Sequence, residues 1–204
     1  SYQQEVPIQI QEVKASIRYI RKHAAEYQLD GSRIALLGEF AGAHYAALSA
    51  TSSAAGELTD AEWPNQDVSD EVQAVIAVYC PVDIGMMEQL FAVEEQAWGI
   101  KTVIEEYGEP DSMEAVLLGG PAKSVPDMVK LANPLTYVNS KCPPFLFLHG
   151  SEDYVVPILG SMWLAAKIME ATSIDNVKYQ VVKGAHHDIH DFEHDWIYDL
   201  EAEF

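Results

Sequence analysis

The stretch "RIALLGEFAGAHYAAL" runs from Arg33 to Leu48. Its first half is a short apolar run that predicts a strand over 33–39, and its small-residue second half predicts a helix over 41–52. Between them Gly38 and Gly42 stand four positions apart, with Phe40 in the middle. A sharp strand-to-helix turn with that spacing is a mount for a nucleophile. The central residue sits at a strained positive φ, and side chains two positions to either side would collide. Here the mounted residue is a phenylalanine, which carries no nucleophilic atom.

Working outward, the chain alternates between the two patterns. Pro7 suits a first helical position, and Ile10, Val13, Ile17 and Ile20 recur at helical spacing before the Asp-Gly turn in "YQLDGSR" (27–33). Residues 51–70 read as a loop. Val72 to Tyr79 is rich in valine and predicts a strand buried on both faces. Ile84 to Lys130 carries helical patterning broken at Gly99, at Gly108-Glu109-Pro110 and at Gly119-Gly120-Pro121. Phe145 to Leu148 predicts a third strand, 158–172 a helix, Val177 to Val182 a fourth strand and 188–203 a final helix. Strands separated by helices imply parallel strands in a layered α/β fold. No internal repeat or linker divides the chain, so one domain is expected over 1–204.

Bulk properties narrow the function. Twelve basic against 32 acidic residues give a formal charge of -20. Nucleic acid and anionic membrane surfaces both call for a positive footprint, so neither is expected as a partner. Cys80 and Cys142 stand alone, outside any CxxC or ligand-spaced cluster, which fits a reducing compartment. No run reaches the roughly 18 apolar residues of a membrane span. Ser1-Tyr2-Gln3-Gln4 has no signal-like character. The expectation is a cytoplasmic protein.

Chemistry in parallel sheets collects at the carboxyl ends of the strands. The first end gives Gly38-Glu39-Phe40-Ala41-Gly42, the third His149-Gly150-Ser151-Glu152-Asp153, and the fourth Gly184-Ala185-His186-His187. Elbow, acid and histidine follow one another in the order of a hydrolase triad. An acid can orient a histidine and stabilise its protonated form, and that histidine would take the proton from a serine hydroxyl. The N–H of Ala41 would face a developing oxyanion at a helix amino terminus. Taken singly, Asp153 reads as a loop or capping residue and His187 as a surface histidine; together and in order they point to the triad.

At these residues the sequence resembles the α/β-hydrolase esterases, and within them the bacterial feruloyl-esterase-like lipase/esterase group, the BD-FAE domain. The likeness runs from "IQEVKASIRYIRKHAAEYQLDGSRIALLGEFAGAHYAAL" through "LLGGP" (117–121), "ANPLTYV" (132–138), "PPFLFLHGSEDYVVP" (143–157) and "GAHH" (184–187). It implies an α/β-hydrolase-like three-layer sandwich with a mostly parallel sheet, truncated to its C-terminal strands. A helical cap-like insertion is expected at about 84–130. The implied activity is hydrolysis of carboxylic esters by a Ser-His-Asp mechanism with no cofactor. Phe40 takes the serine position, Asp153 the acid and His187 the histidine. Ala41 keeps the oxyanion N–H, and Glu39 and His44 support the elbow. The family more often has Gly-Ala-Gly-His, so His186 replaces a glycine and either histidine could face the site. Ala43 also replaces a glycine.

Two departures from that pattern set the functional expectation. Loss of the serine from such triads costs on the order of a million-fold in turnover. Ser151 and Ser49 lack the mount. The family's early strands and its His-Gly-Gly loop, with the second oxyanion donor, are also missing. The elbow strand 33–38 should therefore be an edge that invites self-association or a covering segment. The expectation is a pseudoenzyme. One alternative is a non-catalytic binding module that retains a small ester or acyl pocket, with Phe91, Trp98 and Tyr107 either lining it or packed as core. The other is metal binding by the tail, where His186, His190 and His194, and His187, Asp191 and Asp195, recur every four residues. On a helix without ligands, Phe192, Trp196 and Leu200 would instead face inward.

Overall fold

A computed structural model of the chain describes residues 6–59, 61–104 and 109–204; Tyr107 and Gly108 lie outside the described residues. Four strands, β1 (Ala35–Glu39), β2 (Ala74–Val78), β3 (Phe145–Gly150) and β4 (Val177–Val182), form one parallel sheet in the order β1-β2-β3-β4. The helices are α1 (Ile8–His23), α2 (Ala41–Ala55), α3 (Met87–Trp98), α4 (Met113–Leu118), α5 (Pro126–Leu131), α6 (Ile158–Ala171) and α7 (Asp195–Glu203).

The two faces of the sheet follow from the period-2 alternation of its side chains. Val75, Ala77, Phe145 and Phe147 pack with Ala43, Ala46, Ala47 and Ala50 of α2, Ile17 of α1 and Leu164 and Ile168 of α6. Ile76, Val78, Leu146 and Leu148 turn the other way, onto Phe192 and Ile197. Alanines dominate α2 because it runs directly against the sheet, where a small side chain lets backbone approach backbone. Helices therefore flank both faces of a parallel sheet.

One flank is thinly covered. β1 pairs with β2 alone, so it is an edge strand among the described residues. Leu37 stands in register with Ile76, on the α7 face, yet remains 62% exposed. Glu39 is exposed as well.

Several local expectations need correction. Pro7 is the residue before α1 rather than its first helical position. α2 continues past residue 52 to Ala55 and ends at Gly56, in the left-handed conformation (φ 74°). Ser53, Ala54 and Ala55, which read as loop, are helical, and just before them Thr51 and Ser52 return their hydroxyls to helix carbonyls, those of Ala47 (2.9 Å) and Ser49 (3.2 Å). The tail is not one helix from 188 to 203. Ile189–Phe192 is a 3-10 turn capped by the Asp188 side chain, and α7 begins only at Asp195. The four-residue histidine ladder therefore does not form. Among the described residues no group of three or more His, Cys, Asp or Glu side chains could hold a metal ion. Phe192 is buried and Leu200 half-buried, but Trp196 is exposed and Ile197 takes the inward place. In the middle segment Phe91 is buried and Trp98 exposed.

Candidate active site

The turn after β1 has the strain its glycines imply. Phe40 adopts φ 47° and ψ -117°, donates its N–H to the Val78 carbonyl (3.1 Å) and accepts from the N–H of His44 (3.0 Å). A non-glycine residue at that φ persists only where the surroundings fix it. The two glycines are not equivalent. A Cβ on Gly38 would come within 2.4 Å of the Gly42 backbone, whereas a Cβ on Gly42 would meet nothing within 4 Å. The collision argument thus holds for Gly38 and fails for Gly42, which lies on the open side of the turn. Ala41 is the first residue of α2 and is exposed, so its N–H belongs to the unpaired first turn of that helix.

The loops after β3 and β4 are laced together. Gly184, at φ 79°, donates its N–H to the Ser151 hydroxyl (2.8 Å), and Glu152 donates to the Ala185 carbonyl (2.9 Å). A Cβ on Gly150 would sit 2.2 Å from that same carbonyl oxygen, so the close approach requires glycine. The result brings His187 Nδ1 to 2.9 Å from Asp153 Oδ2. His186 turns outward instead, with Nδ1 3.0 Å from Asp191 Oδ2 and half of its side chain exposed.

Asp153 is held from all sides. Its Oδ1 accepts from the N–H groups of Val155 and Val156, both at 2.8 Å, and its Oδ2 also lies 3.4 Å from His149 Nε2. Burial alone would raise its pKa, but the hydrogen bonds and positive partners outweigh that and hold the carboxyl well below the usual range. It stays ionised as an acceptor for His187. With Nδ1 facing a carboxylate, the imidazole has Nε2 left to take a proton from a neighbour.

That neighbour is an aromatic ring. The Phe40 ring lies 4.7 Å from the His187 ring, centroid to centroid, at an interplanar angle of 88°. Tyr79 packs on the same histidine at 4.5 Å, and its hydroxyl donates to the Glu39 carboxylate. Burial and that carboxylate push the Tyr79 phenol well above its ordinary range, so it is no ready nucleophile. Neither serine is better placed. Ser49 is wholly buried in α2, and the Ser151 hydroxyl is engaged by Gly184.

Two residues of this cluster escaped the sequence reading. Tyr79 follows β2, the one strand whose carboxyl end carried no motif. His149 stood within the third strand's motif, immediately before a glycine-serine pair, with no sign that its ring turns back to Asp153. Beside Phe40 and Ala41 opens an apolar cavity of about 250 Å³, walled by Tyr45, Ile84, Met87 and Leu117.

A helix-flanked parallel sheet, a strained turn into α2 and a histidine-carboxylate pair on later loops define an α/β-hydrolase of the esterase type. The chain matches the BD-FAE family over residues 1–168 and belongs to that family. Esterase LipQ of Mycobacterium tuberculosis is 31% identical over 89% of this chain and 38% of its own length. A truncated form of a carbohydrate esterase from gut microbiota is 27% identical, with a TM-score of 0.80 over 98% of this chain and 68% of that one. A bifunctional GH43-CE protein of Bacteroides eggerthii has a TM-score of 0.79 at 27% identity, over 98% of this chain and 27% of that chain. The chain thus spans about two fifths of the length of the LipQ relative. Among the described residues no helix is long and apolar enough to cross a membrane.

Proposed function

We propose that this chain is a carboxylic ester hydrolase by descent that no longer turns over esters, a pseudoenzyme in which Phe40 stands at the nucleophile mount. Asp153 and His187 would be the acid and histidine of a triad, Ala41 would supply an oxyanion N–H, and residues 84–130 would form a cap. The observation that carries this reading is the edge-on contact of the Phe40 ring with His187. A benzyl side chain occupies the position from which a hydroxyl would pass its proton to the imidazole, and it has no atom to attack with. The substrates of the ancestral chemistry would be small acyl or carbohydrate-linked esters. The test is p-nitrophenyl acetate hydrolysis by the purified chain beside His187→Ala. Equal, non-saturating rates support the proposal, and saturable turnover that vanishes in the variant overturns it.

A second reading is favoured by the apolar cavity next to the Ala41 N–H. A scaffold that keeps a pocket and loses its nucleophile binds without turnover. Saturable binding of a short acyl ester, recovered unhydrolysed, supports that reading, and absence of binding at millimolar ligand removes it.

A further inference from the structure

Helix α3 buries Met87, Phe91 and Glu94, at the i, i+4, i+7 spacing of a core-facing stripe. An apolar residue would ordinarily fill the third place; here it is a carboxylic acid, 1% exposed. Its Oε1 accepts the N–H of Leu159 (2.9 Å), in the first turn of α6. Its Oε2 is buried with no hydrogen-bond partner among the described residues. Leu90 adds the apolar half of the same junction: a Cβ built on Gly160 of α6 would stand 3.6 Å from its Cδ1. Facing Glu94 are Asp153, from the loop after β3, and Tyr179, from β4, whose phenol also meets Cys80. Leu159 and Gly160, the α6 residues at the junction, carry no charge. On α3 itself Glu88 and Glu95 are exposed, with Glu88 3.6 Å from Lys123.

A buried carboxyl with one oxygen unpaired is tolerated when protonated and costly when ionised. We infer that Glu94 is the latch of α3: ionising its carboxyl loosens the helix from the start of α6 and populates an open form of the chain. Burial, and after it the Asp153 carboxylate, outweigh the Leu159 N–H and raise the acid to about 7. A carboxyl raised in the closed form favours closure fully below its hydrated value of about 4.3 and loses that advantage as pH climbs toward the raised one. The latch therefore slackens with rising pH. Its release bears on the site because α3 walls two cavities. Met87 borders the one beside Phe40. Glu88, Phe91, Ala92 and Glu95 line a larger one of about 870 Å³, shared with residues 101–104.

The test is native-state hydrogen exchange on the whole chain, with amide opening constants corrected for the intrinsic pH dependence of exchange. From about pH 5.5 to about pH 8 the opening constants at Leu159 and along α3 should rise at least about tenfold. At about pH 8 they should exceed those of the β3 amides by more than about tenfold, because the helix leaves while the sheet stays. Glu94→Gln keeps an acceptor for the Leu159 N–H and cannot ionise, so its rise should stay below about twofold. The Leu159 amide resonance should itself titrate near neutrality in the wild type and not in the variant. Opening that is independent of pH in the wild type, or a rise that persists in Glu94→Gln, would overturn the inference. Equal opening constants in α3 and β3 would overturn it too, since α3 would then leave only with global unfolding, as would a Leu159 resonance that does not titrate. None of these readouts depends on ester turnover or on a ligand in either cavity.

Discussion

Asp153→Ala removes the group that joins the loops after β3 and β4. The carboxylate is 2% exposed; Oδ1 accepts two backbone N–H groups at 2.8 Å, and Oδ2 serves His187 at 2.9 Å and His149 at 3.4 Å. An orphaned buried donor costs about 1–3 kcal/mol. Val156 is wholly buried and Val155 partly, so the two N–H groups together account for about 3 kcal/mol. The charge-assisted bond to His187, whose side chain is 15% exposed and can turn to water, adds about 1 kcal/mol more. For a chain of this size each kcal/mol moves Tm by about 2–4 °C, so calorimetry at pH 7 should show a fall of about 8–16 °C. The sign of the pH dependence is fixed by the depressed carboxyl. Its contribution is full above the unfolded value of about 3.9 and is lost as pH falls from there toward the lower folded value. The gap between wild type and variant should therefore be constant from pH 7 to about 5 and shrink below about 4. A fall of less than about 3 °C at pH 7, or a gap that widens on acidification, would refute the reasoning.

Gly38→Ala should destabilise the chain by several kcal/mol or prevent folding, since its Cβ would drive into the Gly42 backbone at 2.4 Å. Gly42→Ala, with open space at the start of α2, should raise stability by about 0.4–1 kcal/mol in urea melts. Glu94, buried with Oε1 accepting from the Leu159 N–H and Oε2 unpaired, is raised to about 7 by burial. A carboxyl raised in the folded state loses stability as pH climbs from its unfolded value toward the folded one. Glu94→Gln should therefore match wild type near pH 4 and exceed it by on the order of 2 kcal/mol at pH 8 in equilibrium unfolding.

The sequence was most legible where a periodic pattern meets a short-range constraint. The strand over Val177–Val182 and the helix start at Ala41 coincide with the structure because apolar runs and a glycine-bounded turn leave few alternatives. The parallel order follows from helices between strands. Misreadings arose where polar residues choose between local partners. Ser53 read as loop yet continues α2, after Thr51 and Ser52 have bonded their hydroxyls back to helix carbonyls, and the Asp188 side chain caps the short turn Ile189–Phe192 where one continuous helix was expected. Spacing placed elbow, acid and histidine at strand ends, yet it could not rank His186 against His187. That choice is made by Asp191, which holds the N–H and ring of His186 outside (2.7 and 3.0 Å). Tyr79 and His149 reach the site through rotamer and loop geometry, and no periodicity records either.

The central claim is that an imidazole-carboxylate pair is retained at a mount with no attacking oxygen. Fluorophosphonate treatment of the purified chain, followed by intact-mass spectrometry beside His187→Ala, tests it most directly, because an activated hydroxyl would be captured covalently. The account predicts an unchanged mass in both proteins. A stoichiometric adduct on any residue of the wild-type chain, lost in the His187 variant, would contradict it.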